Sequence, residues 1–246
     1  MKKYSLPLIG LIALIAGGAF FVYTNTQQMQ GTQPEDQQYT IEEIPIESVE
    51  APQVRLPVVD QSLPEEVRSR LIERAEEIQV QLQQNPDEGA WWLELGVIFH
   101  SAGDYEGARE IWEFLIRAAP THTTSYDNLG KLYHYQLKDF EKAESYFTQS
   151  LATDAAVLIP YLELHNLYRY SYKTDTTLAA DILKTAIAQF PETIELHLTL
   201  GAYYRDTGNY TAARQTLETG LEKARDAGTV DLIAQFGQEL ERINSL

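Results

Sequence analysis

Apolar positions recur along this chain three and four residues apart, and the stripes they form come in pairs. Trp92, Leu95 and Phe99 make one stripe, and Ala108 and Trp112 begin the next. Tyr126, Leu129 and Tyr133 are followed by Ala143 and Phe147; Tyr161, Leu164 and Tyr168 by Ala179 and Leu183; His197, Leu200 and Tyr204 by Ala213 and Leu217. Residues spaced this way share one face of a 3.6-residue helix, so each stripe predicts an amphipathic helix and each pair predicts two helices packed together. Gly103 and Gly208 stand where a left-handed residue ends the first helix of a pair, and Pro120 and Pro191 stop the second.

The opening residues of the four pairs lie 34, 35 and 36 positions apart. From opening residue to central Ala is 16 residues in the first and fourth copies, 17 in the second and 18 in the third. The surplus residues are therefore expected between the two helices of a pair, where a surface turn lengthens at little cost, and not inside a helix, whose apolar face they would rotate.

Trp92, Leu95, Gly96, Phe99, Ala108, Trp112 and Pro120 match the W-x2-L-G-x2-Y, A-x3-F, P pattern, and the later copies repeat most of it. The chain thus resembles a tetratricopeptide-repeat protein, over roughly residues 64–246. The resemblance implies an all-α fold, an α-solenoid of helix pairs with repeats at about 87–120, 123–156, 157–192 and 194–227. His165 replaces the Gly of the other three copies, so the third pair is expected to splay. With the turn Ser171 to Thr176, it is expected to be the most irregular.

Capping helices are expected at both ends of the stack. Ser62-Leu63-Pro64-Glu65 has capping-box spacing and opens a helix over 63–84 carrying Val67, Leu71, Ile78 and Leu82, closed by Asn85-Pro86. Over 229–243, Val230, Ile233, Phe236, Leu240 and Ile243 define a last helix with one wet face.

In front of the repeats, Lys2-Lys3 precedes an uncharged stretch whose apolar part covers residues 6–23. Eighteen residues at ~1.5 Å each reach about 27 Å, marginally enough for a ~30 Å hydrocarbon core. This predicts a single transmembrane signal-anchor helix, with residues 1–5 cytoplasmic and the repeats outside the cytoplasm. The competing reading is a cleaved signal peptide and a secreted product, with Gly17-Gly18-Ala19 at the cleavage spacing. Residues 24–62, rich in Gln, Pro and acidic side chains, read as a disordered spacer. The aliphatic excess Ile41, Ile44, Ile46, Val49, Val54, Leu56, Val58 and Val59 offers the alternative that part of it lies extended on the repeats.

The formal charge is −17, and both spacer and repeats are acidic. Nucleic acid is excluded as a partner of the repeats, since it requires a basic stripe. With no cysteine in the chain, disulfides and thiol chemistry are ruled out. His100, His122, His134, His165 and His197 show no short metal-ligand spacing, and there is no phosphate loop or nucleophile elbow. Neither a metal, a cofactor nor catalysis is expected.

What the family resemblance implies is a role in holding a peptide or helix of another protein in a concave groove lined by the first helices. The groove positions are Leu93, Val97 and His100; Asp127, Lys131, His134 and Tyr135; Leu162, Asn166, Arg169 and Tyr170; and Leu198, Ala202 and Arg205. Lys131, His134, Arg169 and Arg205 predict a locally basic, Tyr-lined patch, suited to a partner with an acidic segment. The family's carboxylate clamp is not matched, since Leu93 and Val97 replace its first Lys and Asn. The expected function is a non-enzymatic, membrane-anchored scaffold. The alternative is an assembly or maturation factor for exported proteins, because Gln84-Asn85-Pro86-Asp87 leading into Trp91-Trp92-Leu93-Glu94-Leu95-Gly96 is similar to the repeat subunits of cytochrome c biogenesis.

Overall fold

The computed structural model describes residues 49–245 and the backbone of three strands: β1 (Leu11–Ala16), β2 (Ala19–Thr24) and β3 (Thr40–Ile44). The chain divides into two compact units, one ending at Ser125 and one starting at Tyr126.

In the first unit the strands pair antiparallel in the order β1-β2-β3, with Ala16 opposite Ala19 and Phe20 opposite Ile44. The described part of residues 6–23 is therefore strand, not the expected helix. A continuous apolar run carries no periodicity to separate the two, and this one has Gly17-Gly18 at its centre with Ile, Phe, Val and Tyr on either side, a composition that favours a hairpin. No helix among the described residues is long and apolar enough to cross a membrane.

Three helices follow: α1 (Glu65–Gln84), α2 (Gly89–Ala102) and α3 (Tyr105–Ala118). α2 packs against both of the others. Ile78 and Leu82 of α1, Trp92, Leu95 and Phe99 of α2, and Ile111, Trp112 and Leu115 of α3 are all buried. Gly96 is required at the crossing, because a Cβ there would lie 2.4 Å from Trp112 Nε1. Gly103 ends α2 in the left-handed region at φ +85°. Two details of the expected N-terminal cap differ. Pro64, not Ser62, precedes α1, without a side-chain capping bond, and Val67 is exposed. The N–H groups of this exposed first turn are left to solvent, with Glu65 and Glu66 supplying negative charge at the helix N-terminus.

Part of the spacer lies on this unit. Arg55 donates to Asp104 at 2.6 and 3.2 Å, the Val58 N–H donates to Asp104 Oδ2 at 2.9 Å, and the Asp60 N–H donates to the Ala102 carbonyl at 2.7 Å. Pro57 is buried. The extended alternative for the aliphatic segment is thus the one observed over 54–60.

The second unit contains α4 (Thr123–Lys131), which begins just before it, then a π-helical turn (Leu132–Leu137), α5 (Phe140–Thr153), α6 (Ile159–Tyr170), α7 (Leu178–Gln189), α8 (Glu195–Asp206), α9 (Tyr210–Asp226) and α10 (Val230–Asn244). Neighbouring helices pack in chain order from α5 to α10. Gly130 and Gly201 repeat the device of Gly96: an added Cβ would meet the Phe147 ring at 2.4 Å and Leu217 at 2.5 Å. In the third pair His165 is 2% exposed, and its Nδ1 donates to the Ala179 carbonyl at 2.8 Å, so the larger side chain is accommodated as a buried, bonded group. Phe236 and Ile243 of α10 are buried, while Val230 is 75% exposed.

The two surplus lengths are absorbed differently. In the third pair the extra residues lengthen the turn between α6 and α7, with Lys173 at φ +55°. In the second, the turn keeps its two-residue form: Lys138 takes the left-handed position of Gly103 and Gly208, and Asp139 caps α5 as Asp104 caps α3. The extra residue lies inside the first helix, as the wider π turn. The expectation that both insertions fall between helices is corrected here. A single residue fits into a helix without rotating what precedes it when one turn widens from i→i+4 to i→i+5 bonding.

Candidate functional site

The repeat packing leaves the groove positions of the second unit on the first-helix side, on α4, the π turn, α6 and α8. Tyr135 is 43% exposed and Tyr170 66%. Lys131, Leu162, Asn166, Arg169, Leu198, Ala202 and Arg205 are half-buried, whereas Asp127 and His134 are buried. Leu198 also packs into the core beside Phe236. The three groove positions of the first unit form a separate patch on α2, with Val97 exposed, Leu93 half-buried, and His100 against Tyr105 and Trp112.

Lys131, Arg169 and Arg205 each face a carboxylate about one repeat further along the chain, whereas His134, read with them as part of the basic patch, is buried against Ser171. Lys131 Nζ stands 4.0 Å from Glu163. Arg169 pairs with Asp206, and Arg205 pairs with Asp206 and Glu239. Arg242 closes the series on Glu239 at 2.6 Å. The face is consequently a ladder of alternating charge, and the basic patch read from the cations alone is balanced by its acids. Glu163, Asp206 and Glu239 lie 32, 37 and 34 residues after Lys131, Arg169 and Arg205, so repeat spacing is the sequence signal that points to them. Arg169 also lies over the rings of Tyr170 and Tyr203, at 4.8 and 5.8 Å from their centroids.

The π turn positions the N-terminal end of this face. His134 stacks on Tyr135, with ring centroids 4.1 Å apart, and its Nε2 bonds Ser171 Oγ at 2.9 Å. The Tyr135 hydroxyl donates to Glu163 Oε2 at 2.7 Å. Burial, together with this carboxylate, raises the pKa of the Tyr135 phenol. Burial also raises that of Asp127, whose Oδ1 has no hydrogen-bond partner. It lowers those of His134, His165 and His197, which keeps all three neutral near pH 7. These three histidines, one repeat apart, are core groups, and among the described residues no three His, Cys, Asp or Glu side chains converge as a metal site would require.

Two matches to tetratricopeptide-repeat family models cover residues 87–156 and 173–235, together just over half of the chain. The chain belongs to the tetratricopeptide-repeat family. Among solved structures it is similar to a crystal structure of MamA, at 17% identity and a TM-score of 0.52 over 69% of this chain and 99% of that one. It is also similar to MamA 41-end from Desulfovibrio magneticus RS-1, at 17% identity and a TM-score of 0.50 over 66% and 88%. A third is the C-terminal part of a TPR repeat-containing protein from Cytophaga hutchinsonii, at 20% identity and a TM-score of 0.50 over 65% and 64%. At these identities the likeness is one of fold. No curated protein matches the sequence.

Proposed function

We propose that this protein is a non-enzymatic interaction scaffold that holds a peptide or helix of another protein on the first-helix face of its second unit. Tetratricopeptide domains generally serve protein interaction. The observation that carries the reading is the pair of exposed rings, Tyr135 and Tyr170, on a face whose Arg169 and Arg205 are held in place by ion pairs from neighbouring repeats. Rigid aromatic side chains on a preorganised surface bind at low entropic cost. An acidic segment, suggested by the cations alone, is the less favourable occupant, because it would compete with Glu163, Asp206 and Glu239 for them.

Membrane attachment belongs to the same proposal. Residues 6–23 carry no charge and follow Lys2-Lys3. In water their paired strands satisfy part of the backbone, but in hydrocarbon an open sheet leaves edge groups unbonded, and a helix satisfies every group within the segment. The run would therefore insert as a helix, with the repeats outside the cytoplasm. Pull-down from membranes with the full chain and with Tyr135→Ala plus Arg169→Ala tests the face, since partner capture should fall about tenfold in the variant. An unchanged captured set refutes the assigned face. Alkaline carbonate extraction tests the anchor, which predicts that the protein stays in the membrane pellet.

A further inference from the structure

Acceptors outnumber donors at one place on the first-helix face. Asp206 receives Arg169 and Arg205, and Glu239 receives Arg205 and Arg242, so those carboxylates are doubly engaged. Glu163 is not. Its Oε2 accepts the Tyr135 hydroxyl at 2.7 Å, but its Oε1 stands 4.0 Å from Lys131 Nζ, beyond hydrogen-bond reach. Behind it, Asp127 is 5% exposed, has the buried Ser150 hydroxyl as its nearest donor, and is close enough to feel both Lys131 and Glu163. Two carboxylates thus share one ammonium that lies beyond hydrogen-bond reach of Glu163. Glu163 Oε1, whose carboxylate can accept at both oxygens, therefore keeps capacity for a donor from outside the chain. The π turn sets the Tyr135 ring beside this spot, backed by His134 and 43% exposed.

We propose that Glu163, with Asp127 behind it and the Tyr135 ring beside it, forms a subsite for a basic side chain of the bound partner, arginine foremost. A guanidinium supplies several donors in one plane, enough to bond Glu163 Oε1, and its flat face stacks on a tyrosine ring. A partner carboxylate at the same spot would meet Glu163 head on. The inference rests on the proposed peptide-binding role and names the residue type that role selects.

Selection of random displayed dodecapeptides on the full-length protein, followed by sequencing, tests it. The wild type should converge on peptides with one fixed Arg or Lys. Glu163→Gln should still yield binders but lose that basic preference about tenfold, the cost of one charge-assisted hydrogen bond. Lys131→Met leaves the acceptors intact and removes the competing cation, so it should sharpen the preference, and it protects the test if Glu163→Gln folds poorly. Binders without a basic position, binders with an acidic one, or enrichment unchanged in both variants overturn the subsite and leave the interaction role standing. If no binder emerges from the wild type, the interaction role falls as well.

Discussion

Arg55 and Asp104, 49 positions apart, are joined by two hydrogen bonds at 2.6 and 3.2 Å, and the carboxylate that receives them also caps α3 through the Gly107 N–H at 3.0 Å. One acid therefore holds a helix end and the chain segment in front of the repeats. Burial pushes the Asp104 carboxyl up, but its bonds from Arg55, Val58 and Gly107 outweigh this and hold it below the usual range. The bond to Asp104 raises the pKa of Arg55 in turn.

Arg55→Ala should detach residues 54–60 while leaving the helices folded, with a loss of about 1–2 kcal/mol. Asp104→Ala should cost more, about 2–4 kcal/mol, because the cap is lost with the ion pair. Hydrogen exchange separates the two. The first variant should lose protection at the Val58 and Asp60 amides only, and the second also at the start of α3.

Gly96 and Gly130 face Trp112 and Phe147 with no room for a methyl group. Gly96→Ala and Gly130→Ala should each destabilise the protein by about 1–3 kcal/mol in urea unfolding, despite the higher helix propensity of alanine. Trp112→Leu should recover part of the loss from Gly96→Ala and none from Gly130→Ala.

Deleting Gln136 should convert the π turn to regular helix and give the second repeat the 16-residue spacing of the first and fourth. The deletion also removes an unpartnered buried oxygen. Helical circular dichroism should be retained within error. The Tyr135 hydroxyl, in contrast, should no longer reach Glu163, which the Tyr135 ring resonances in NMR report.

Buried histidines set the acid limit of stability. His134, His165 and His197 have folded pKa values depressed by burial, so below about 6.5 the unfolded chain takes up protons that the folded chain does not, and stability falls with pH. Asp127 works in the opposite sense. Its folded pKa is raised, so the folded state gains the proton first, and this adds stability only as pH falls through that value towards 3.8. Urea midpoints measured from pH 8 to pH 5 should be flat above about 7 and decline below it, and His165→Gln should make the decline shallower.

The helical stack was legible because its packing residues are large, apolar and periodic. Trp92, Tyr126, Tyr161 and Leu200 declare their burial by their place on a stripe, whereas Tyr135 and Tyr170, off the stripe, are exposed. The π turn was not legible, since a one-residue surplus between Tyr126 and Ala143 fits a longer loop as well as a wider helical turn, and only the left-handed Lys138 distinguishes them. The candidate face was half legible. Lys131, Arg169, Arg205, Tyr135 and Tyr170 keep exposed surface while His134 is buried, and Glu163, Asp206 and Glu239 became partners only through the fold, because a carboxylate on an acidic helix carries no mark of what it faces. The apolar residues 6–23 lacked the periodicity that would separate helix from strand.

A photo-crosslinking amino acid placed at Tyr170, on the first-helix face, and at Thr219, on the exposed side of α9, tests the central claim most directly. In cells, the full-length protein should give a discrete adduct from position 170 that is lost with Tyr135→Ala plus Arg169→Ala, and none from position 219. Adducts from position 219 alone, or a 170 adduct indifferent to Tyr135→Ala plus Arg169→Ala, would contradict the account.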